Sequence, residues 1–135
     1  MTDVSVAEKD AFFEEVGKAS AAAVWSAWAT QSQNGPRVRM VHHTWEGDVL
    51  WLATGPNTPK AKQMASNPLV DVQWQVSPPN FVHIMCRGSV ELLMDDESRA
   101  HAWDVLDYDL NDFFQGGPTD PNYVAVKLTP TRVEL

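Results

Sequence analysis

The sequence predicts a mainly β domain with short helices (α+β), its strands curling into a small closed or half-closed barrel. Three observations carry this. Residues 70–76, Val-Asp-Val-Gln-Trp-Gln-Val, alternate apolar and polar, the period of a half-buried strand. Residues 49–53 (VLWLA) form a continuous apolar run of strand length, which fits a strand covered on both faces. Five or so such segments follow one another at short spacing, with few helical stretches between them. The 135 residues suit one domain over 1–135.

Taken in order, residues 7–18 (AEKDAFFEEVGK) read as a helix that packs on the barrel, with Phe12 and Val16 four apart and Gly17 as a stop. Residues 19–30 stay ambiguous: their alanines favour helix, but the segment is short and runs into the turn Asn34-Gly35-Pro36. Arg37–Val41 reads as a strand with apolar even positions and arginines at 37 and 39. After the turn Glu46-Gly47-Asp48 and the 49–53 strand, Thr58 is a good N-cap and Pro59 a good first residue for a helix over 59–67. Pro68 pushes Asn67 out of helical geometry and ends it. The 70–76 strand and a loop at Ser77-Pro78-Pro79-Asn80 lead to a strand over 81–90. Its period of two places His83, Met85 and Arg87 on one face and Val82, Ile84 and Cys86 on the other. A helix over 96–106, a loop at Gln115-Gly116-Gly117-Pro118 and a last strand over 123–128, with Pro130 just beyond it, complete the chain.

Eighteen acidic residues against 10 basic ones leave a net charge of −8. That balance argues against sequence-independent nucleic-acid binding, which needs clustered Lys and Arg. No apolar run approaches the ~20 residues of a membrane-spanning helix. The start, MTDVSVAEKDAFFEEV, lacks the basic front and apolar run of a secretory signal, so a cytoplasmic location is expected. The single cysteine, Cys86, offers no intrachain disulfide and reads as a small buried hydrophobe. No metal is expected. His42 and His43 are adjacent on a strand and so point to opposite faces. Asp107-x-Asp109-x-Asn111 opens like a calcium loop, but Asp112 stands where glycine is required and Pro118 where the closing glutamate belongs. No G-x-S-x-G, phosphate-binding P-loop or G-x-G-x-x-G is present. The six tryptophans are expected in the core, with one or two bordering a ligand or an interface.

An anionic ligand would need a local exception to the acidic balance. Lys60 and Lys62 provide one, because they occupy the first turn of the 59–67 helix, where the dipole favours acids by ~0.3–1 kcal/mol unless an anion binds there. Arg37 and Arg39 form a second basic pair about twenty residues upstream.

Arg39-Met40-Val41, a strand ending at Thr54, Thr58-x-Lys60 and Asn67-Pro68-x-Val70 together resemble the pyridoxamine 5'-phosphate oxidase-like split barrels that bind FMN. Arg87-Gly88-Ser89-Val90 followed by Asp95 is similar to that family's strand–Gly–small–strand step. Phe113-Phe114-x-x-Gly117-Pro118-x-Asp120-Pro121 resembles the C-terminal signature of its general stress protein branch. The resemblance spans roughly residues 20–135. It implies a six-stranded Greek-key split β-barrel, a first strand within 20–30, and a homodimer with FMN at the subunit interface. It also implies Arg39, Thr58 and Lys60 at the FMN phosphate and Ala53 and Thr54 along the flavin. Relatives carry an arginine where this chain has Pro59, and Arg37 or Lys62 would replace it. His83 would lie near the flavin across the subunit boundary and is the sole nominee for a proton donor. The implied activity is that of a flavin-dependent oxidoreductase with an unknown small-molecule substrate. The sequence ends at Leu135 without the Arg-x-His segment that binds substrate in the true oxidases, so pyridoxamine phosphate oxidation is not expected. The alternatives are a non-catalytic flavin carrier or sensor, or the same fold holding a deazaflavin or haem.

Overall fold

The computed structural model describes residues 6–23, 25–75 and 83–135. Helix α1 (Val6–Ala21) leads into β1 (Trp25–Ser32), β2 (Gly35–His42), β3 (Thr44–Glu46) and β4 (Val49–Thr54). Helix α2 (Pro59–Ser66), β5 (Leu69–Gln75), β6 (His83–Leu93), α3 (Asp96–Val105) and β7 (Val124–Glu134) follow. Two 3₁₀ turns, Leu110–Asp112 and Gly117–Thr119, join α3 to β7. The strands form one curled antiparallel sheet in the order β2-β1-β5-β6-β7-β4-β3, a half-barrel. Among the described residues no helix is long and apolar enough to cross a membrane.

The curl lets distant strands share one interior. Trp28 of β1, Leu50 and Leu52 of β4, Val72 of β5, Ile84 of β6 and Val126 and Leu128 of β7 pack together, capped by Met64 of α2 and Val16 of α1. The apolar run of β4 is indeed covered on both faces. Leu50 and Leu52 face this interior, while Trp51 faces a second core with Ala102, Leu106, Leu110, Tyr123 and Ala125 beneath α3. Tyr123 and Arg99 tie that layer together. The tyrosine hydroxyl donates to the Arg99 carbonyl at 2.8 Å, and Arg99 Nη1 donates to the carbonyls of Asp120 and Tyr123.

The ambiguous stretch 19–30 divides. Its alanines extend α1 to Ala21, and the remainder becomes β1, because Ser26, Trp28 and Thr30 bury one face while β2 and β5 pair on either side. Tertiary pairing overrides helix propensity there. The alternation of β5 and β6 holds: Val70, Val72 and Trp74 are buried, as are Ile84 and Cys86, while His83, Met85 and Arg87 are exposed. Residues 76–82, and with them the Ser77–Asn80 loop and the start of the 81–90 strand, lie outside the described residues.

Three expectations need correction. Gly17 does not stop α1, which runs on through the alanines to Ala21, since one glycine costs a helix only about 1 kcal/mol. The sheet has seven strands, not six, since β3 pairs with β4 over only three residues, too few to show a period. And β7 continues through Pro130 to Glu134. A proline lacks the ladder N–H, but here it sits opposite Gly88, where the β6–β7 register shifts between Arg87 and Gly88.

A candidate anion-binding site

The β1–β2 register pairs Trp28 with Arg39 and Thr30 with Arg37. Paired residues in an antiparallel ladder project to the same side, so both arginines stem from the face that buries Trp28 and Thr30, Arg39 half-buried there and Arg37 exposed at the strand's start. Val38 and Met40 point outward and are 66% and 59% exposed, while Val41 is buried.

Helix α2 crosses this inner edge, and its start forms as the sequence predicts. The Thr58 hydroxyl accepts from the Ala61 N–H at 3.4 Å and donates to the Gly55 carbonyl at 2.7 Å. Its oxygen lies 3.5 Å from Thr54 Oγ1 at the end of β4. Asn67 ends the helix in extended geometry.

Helix and hairpin meet in a closed triangle of hydrogen bonds. Thr30 Oγ1 donates to Gln63 Oε1 at 2.6 Å. Arg39 Nη1 donates to Thr30 Oγ1 and its Nη2 to Gln63 Oε1, both at 3.2 Å. Lys60 lies one turn before Gln63 on the same helix. Burial first, and then the Arg39 charge, hold its ammonium below the usual lysine range. The Arg39 guanidinium is likewise lowered, by burial and then by Arg37. These are half-buried cations that repel one another.

No carboxylate among the described residues lies within ion-pairing distance of Arg37, Arg39, Lys60 or Lys62. The other arginines and Lys9 and Lys18 are all paired: Lys9 with Asp48, Lys18 with Glu14, Arg87 with Asp71, Arg99 with Asp96 and Arg132 with Glu134. In a chain of net charge −8 this is a concentrated exception, and its chemistry is that of an anion receptor.

Of the residues the sequence nominates, the structure brings together Arg39, Thr54, Thr58 and Lys60, with Arg37 alongside. Lys62 is exposed and lies about 200° around the helix from Lys60, turned from the cluster. Ala53 packs its side chain toward the second core, opposite to Thr54. His83 is exposed on the outer face of β6. The ladders run Arg39–Trp28–Val72–Cys86, so His83 sits three strands away and three residues further along, apart from the cluster of its own chain. Sequence reasoning misses Thr30 and Gln63, which carry no charge. The available signal is Gln63's place one turn after Lys60.

The other reactive groups serve structure. Burial pushes the Cys86 thiol up to about 12. His42 Nε2 bonds Asp107 Oδ1 at 2.8 Å, whereas His43 Nε2 bonds Ser20 Oγ at 2.7 Å in a buried layer against Trp74. Trp28, Trp51 and Trp74 are buried, and Trp25 is 57% exposed.

A family model described as pyridoxamine 5'-phosphate oxidase matches residues 11–135. The chain belongs to the pyridoxamine 5'-phosphate oxidase family. The matched span takes in the whole sheet and every residue of the cation cluster. Among solved structures, a protein related to general stress protein 26 from Clostridium acetobutylicum is 22% identical with a TM-score of 0.75, over 92% of this chain and 87% of that one. An FAD-binding protein from Mesorhizobium loti is 21% identical with a TM-score of 0.67, over 89% and 88%. A protein named F420 reductase is 22% identical with a TM-score of 0.62, over 82% and 89%. At such identities these likenesses establish the fold alone. No curated protein matches the sequence.

Proposed function

We propose that the chain is a homodimeric flavoprotein that binds FMN and acts as a flavin-dependent oxidoreductase on a small molecule. The observation that carries this reading is the half-buried pair Arg39–Lys60, held without a carboxylate at the start of α2. Two like charges in partial burial repel, and a phosphate between them converts that repulsion into two charge-assisted contacts. A phosphate monoester fits these residues: Lys60 serves as a point charge, Arg39 as a planar donor and Arg37 as a further cation in reserve. The helix start adds its dipole. Once bound, the flavin ring supplies the electron transfer. The chain's own part is to anchor the tail and orient the ring.

The dimer is supported by the outer face of β2, β1, β5 and β6. Trp25, Val38, Met40, Leu69 and Met85 are 48–66% exposed there, an apolar surface of the kind that interfaces cover. A groove of about 380 Å³ crosses it past Ala27, Ala29 and Met85. His83 lies on the same face, so a second copy is what would carry it toward a flavin. The fold relative named FAD-binding supports the flavin class, and the one named F420 reductase favours a deazaflavin as second reading.

The test is titration of apo-protein with FMN, followed by quenching of flavin fluorescence. Substituting Arg39→Ala and Lys60→Ala together is expected to weaken binding at least about a hundredfold, since each removes a contact worth ~1.5–3 kcal/mol. Unchanged affinity overturns the site. Mass analysis of ligand released from purified protein separates FMN from a deazaflavin. Oxidation of a reduced nicotinamide by the loaded protein separates an enzyme from a carrier.

A further inference from the structure

Arg39 differs from its fellow arginines in what holds it. Arg87 grips Asp71 through bonds of 2.8 and 3.0 Å, Arg132 reaches Glu134, and Arg99 reaches Asp96. Each of those carboxylates cancels the charge it orients. Arg39 is fixed instead by two neutral oxygens, Thr30 Oγ1 and Gln63 Oε1.

The triangle is self-consistent. Thr30 is 2% exposed, and its hydroxyl spends its proton on Gln63 Oε1, which leaves its lone pairs for Arg39. Two donors converge on one Gln63 oxygen, which sets the orientation of the amide. A guanidinium has five N–H groups, of which the triangle uses two, so three, Nε–H included, stay available to a ligand. Gln63 also rides on the helix that presents Lys60, so one rigid element sets the position of both cations.

We propose that Gln63, backed by Thr30, is a positioning residue that aims Arg39 at the ligand's phosphate while leaving its charge uncompensated, and so makes the site selective for the phosphorylated ligand. This rests on the phosphate-grip reading above. A glutamate at 63 would reach the same nitrogens and bond them more strongly, yet would neutralise the cation that the ligand needs.

The experiment compares FMN with riboflavin, which lacks the phosphate, on apo-protein. Wild type is expected to favour FMN. Gln63→Glu keeps side-chain size and helix propensity. It is expected to cut FMN affinity at least about tenfold while riboflavin affinity moves less than about twofold. Thr30→Val, close in shape, is expected to lower FMN affinity selectively as well, and it carries the test if the glutamate variant does not fold. In an Arg39→Ala background Thr30→Val is expected to cost FMN little more, since the hydroxyl acts through the guanidinium it orients. An unchanged ratio of FMN to riboflavin affinity in the folded variants, or equal loss of both ligands, overturns the inference. A wild type that binds both equally overturns the phosphate grip itself, a different and recognisable outcome.

Discussion

Acidification should expose His43 as a weak point of the fold. The residue is 4% exposed. Its ring lies 4.6 Å from that of Trp74, and Nε2 is bonded to Ser20 Oγ, which joins α1 to the sheet. Its Nδ1 is buried without a hydrogen-bond partner among the described residues. Burial, and then the neighbouring His42, push its pKa down to about 4, with Asp107 acting the other way. In the unfolded chain the imidazole titrates near the ordinary value of 6.5. Between those two values the unfolded state holds more protons than the folded one, so folding stability falls as pH falls through that window. At 1.36 kcal/mol per unit, the loss from pH 7 to pH 4 comes to about 3 kcal/mol, a sizeable share of the ~5–15 kcal/mol of a typical domain. Above about pH 7.5 the imidazole is neutral in both states and contributes almost no slope. Urea unfolding followed by tryptophan fluorescence, at both ends of that range, measures the effect in wild type and in His43→Gln. The variant loses the Ser20 bond and should be weaker at neutral pH, yet its stability should decline about 3 kcal/mol less on acidification. The carboxylates titrate in both proteins and cancel in the difference. Equal declines would refute the argument that a buried neutral imidazole joins α1 to the sheet.

Two further predictions concern packing. A Cβ on Gly88 would lie 2.6 Å from the Thr129 carbonyl oxygen and 2.7 Å from Leu128 Cδ2, so Gly88→Ala should destabilise the fold by about 1–3 kcal/mol, read as a lowered Tm. Cys86 is 3% exposed with its thiol raised to about 12. Iodoacetamide at mildly alkaline pH should therefore leave it unmodified in the native protein and alkylate it in urea, and rapid native labelling would contradict its place in the core.

Where neighbours along the chain carry the information, the sequence determined the outcome. The alternation of β5 follows from burying one face of a strand. The bounds of α2 follow from Thr58, Pro59 and Pro68, each acting within a turn of its own position. The uncompensated basic residues stand out because charge is visible in an acidic chain. Tertiary structure decided what local signals could not. Residues 19–30 split between helix and strand because β2 and β5 offered hydrogen bonds on both sides. β3 is a strand only because β4 lies beside it, and β7 runs through Pro130 because the register shifts opposite. Arg37 and Lys62 are equal candidates in the sequence, and only the register and the helix rotation separate them. Thr30 and Gln63 stayed hidden for the same reason. They are uncharged and 33 positions apart, and nothing short of the folded hairpin against α2 makes them partners of Arg39. A hydrogen bond depends on distance in space, and the chain's order constrains that distance only over a few residues.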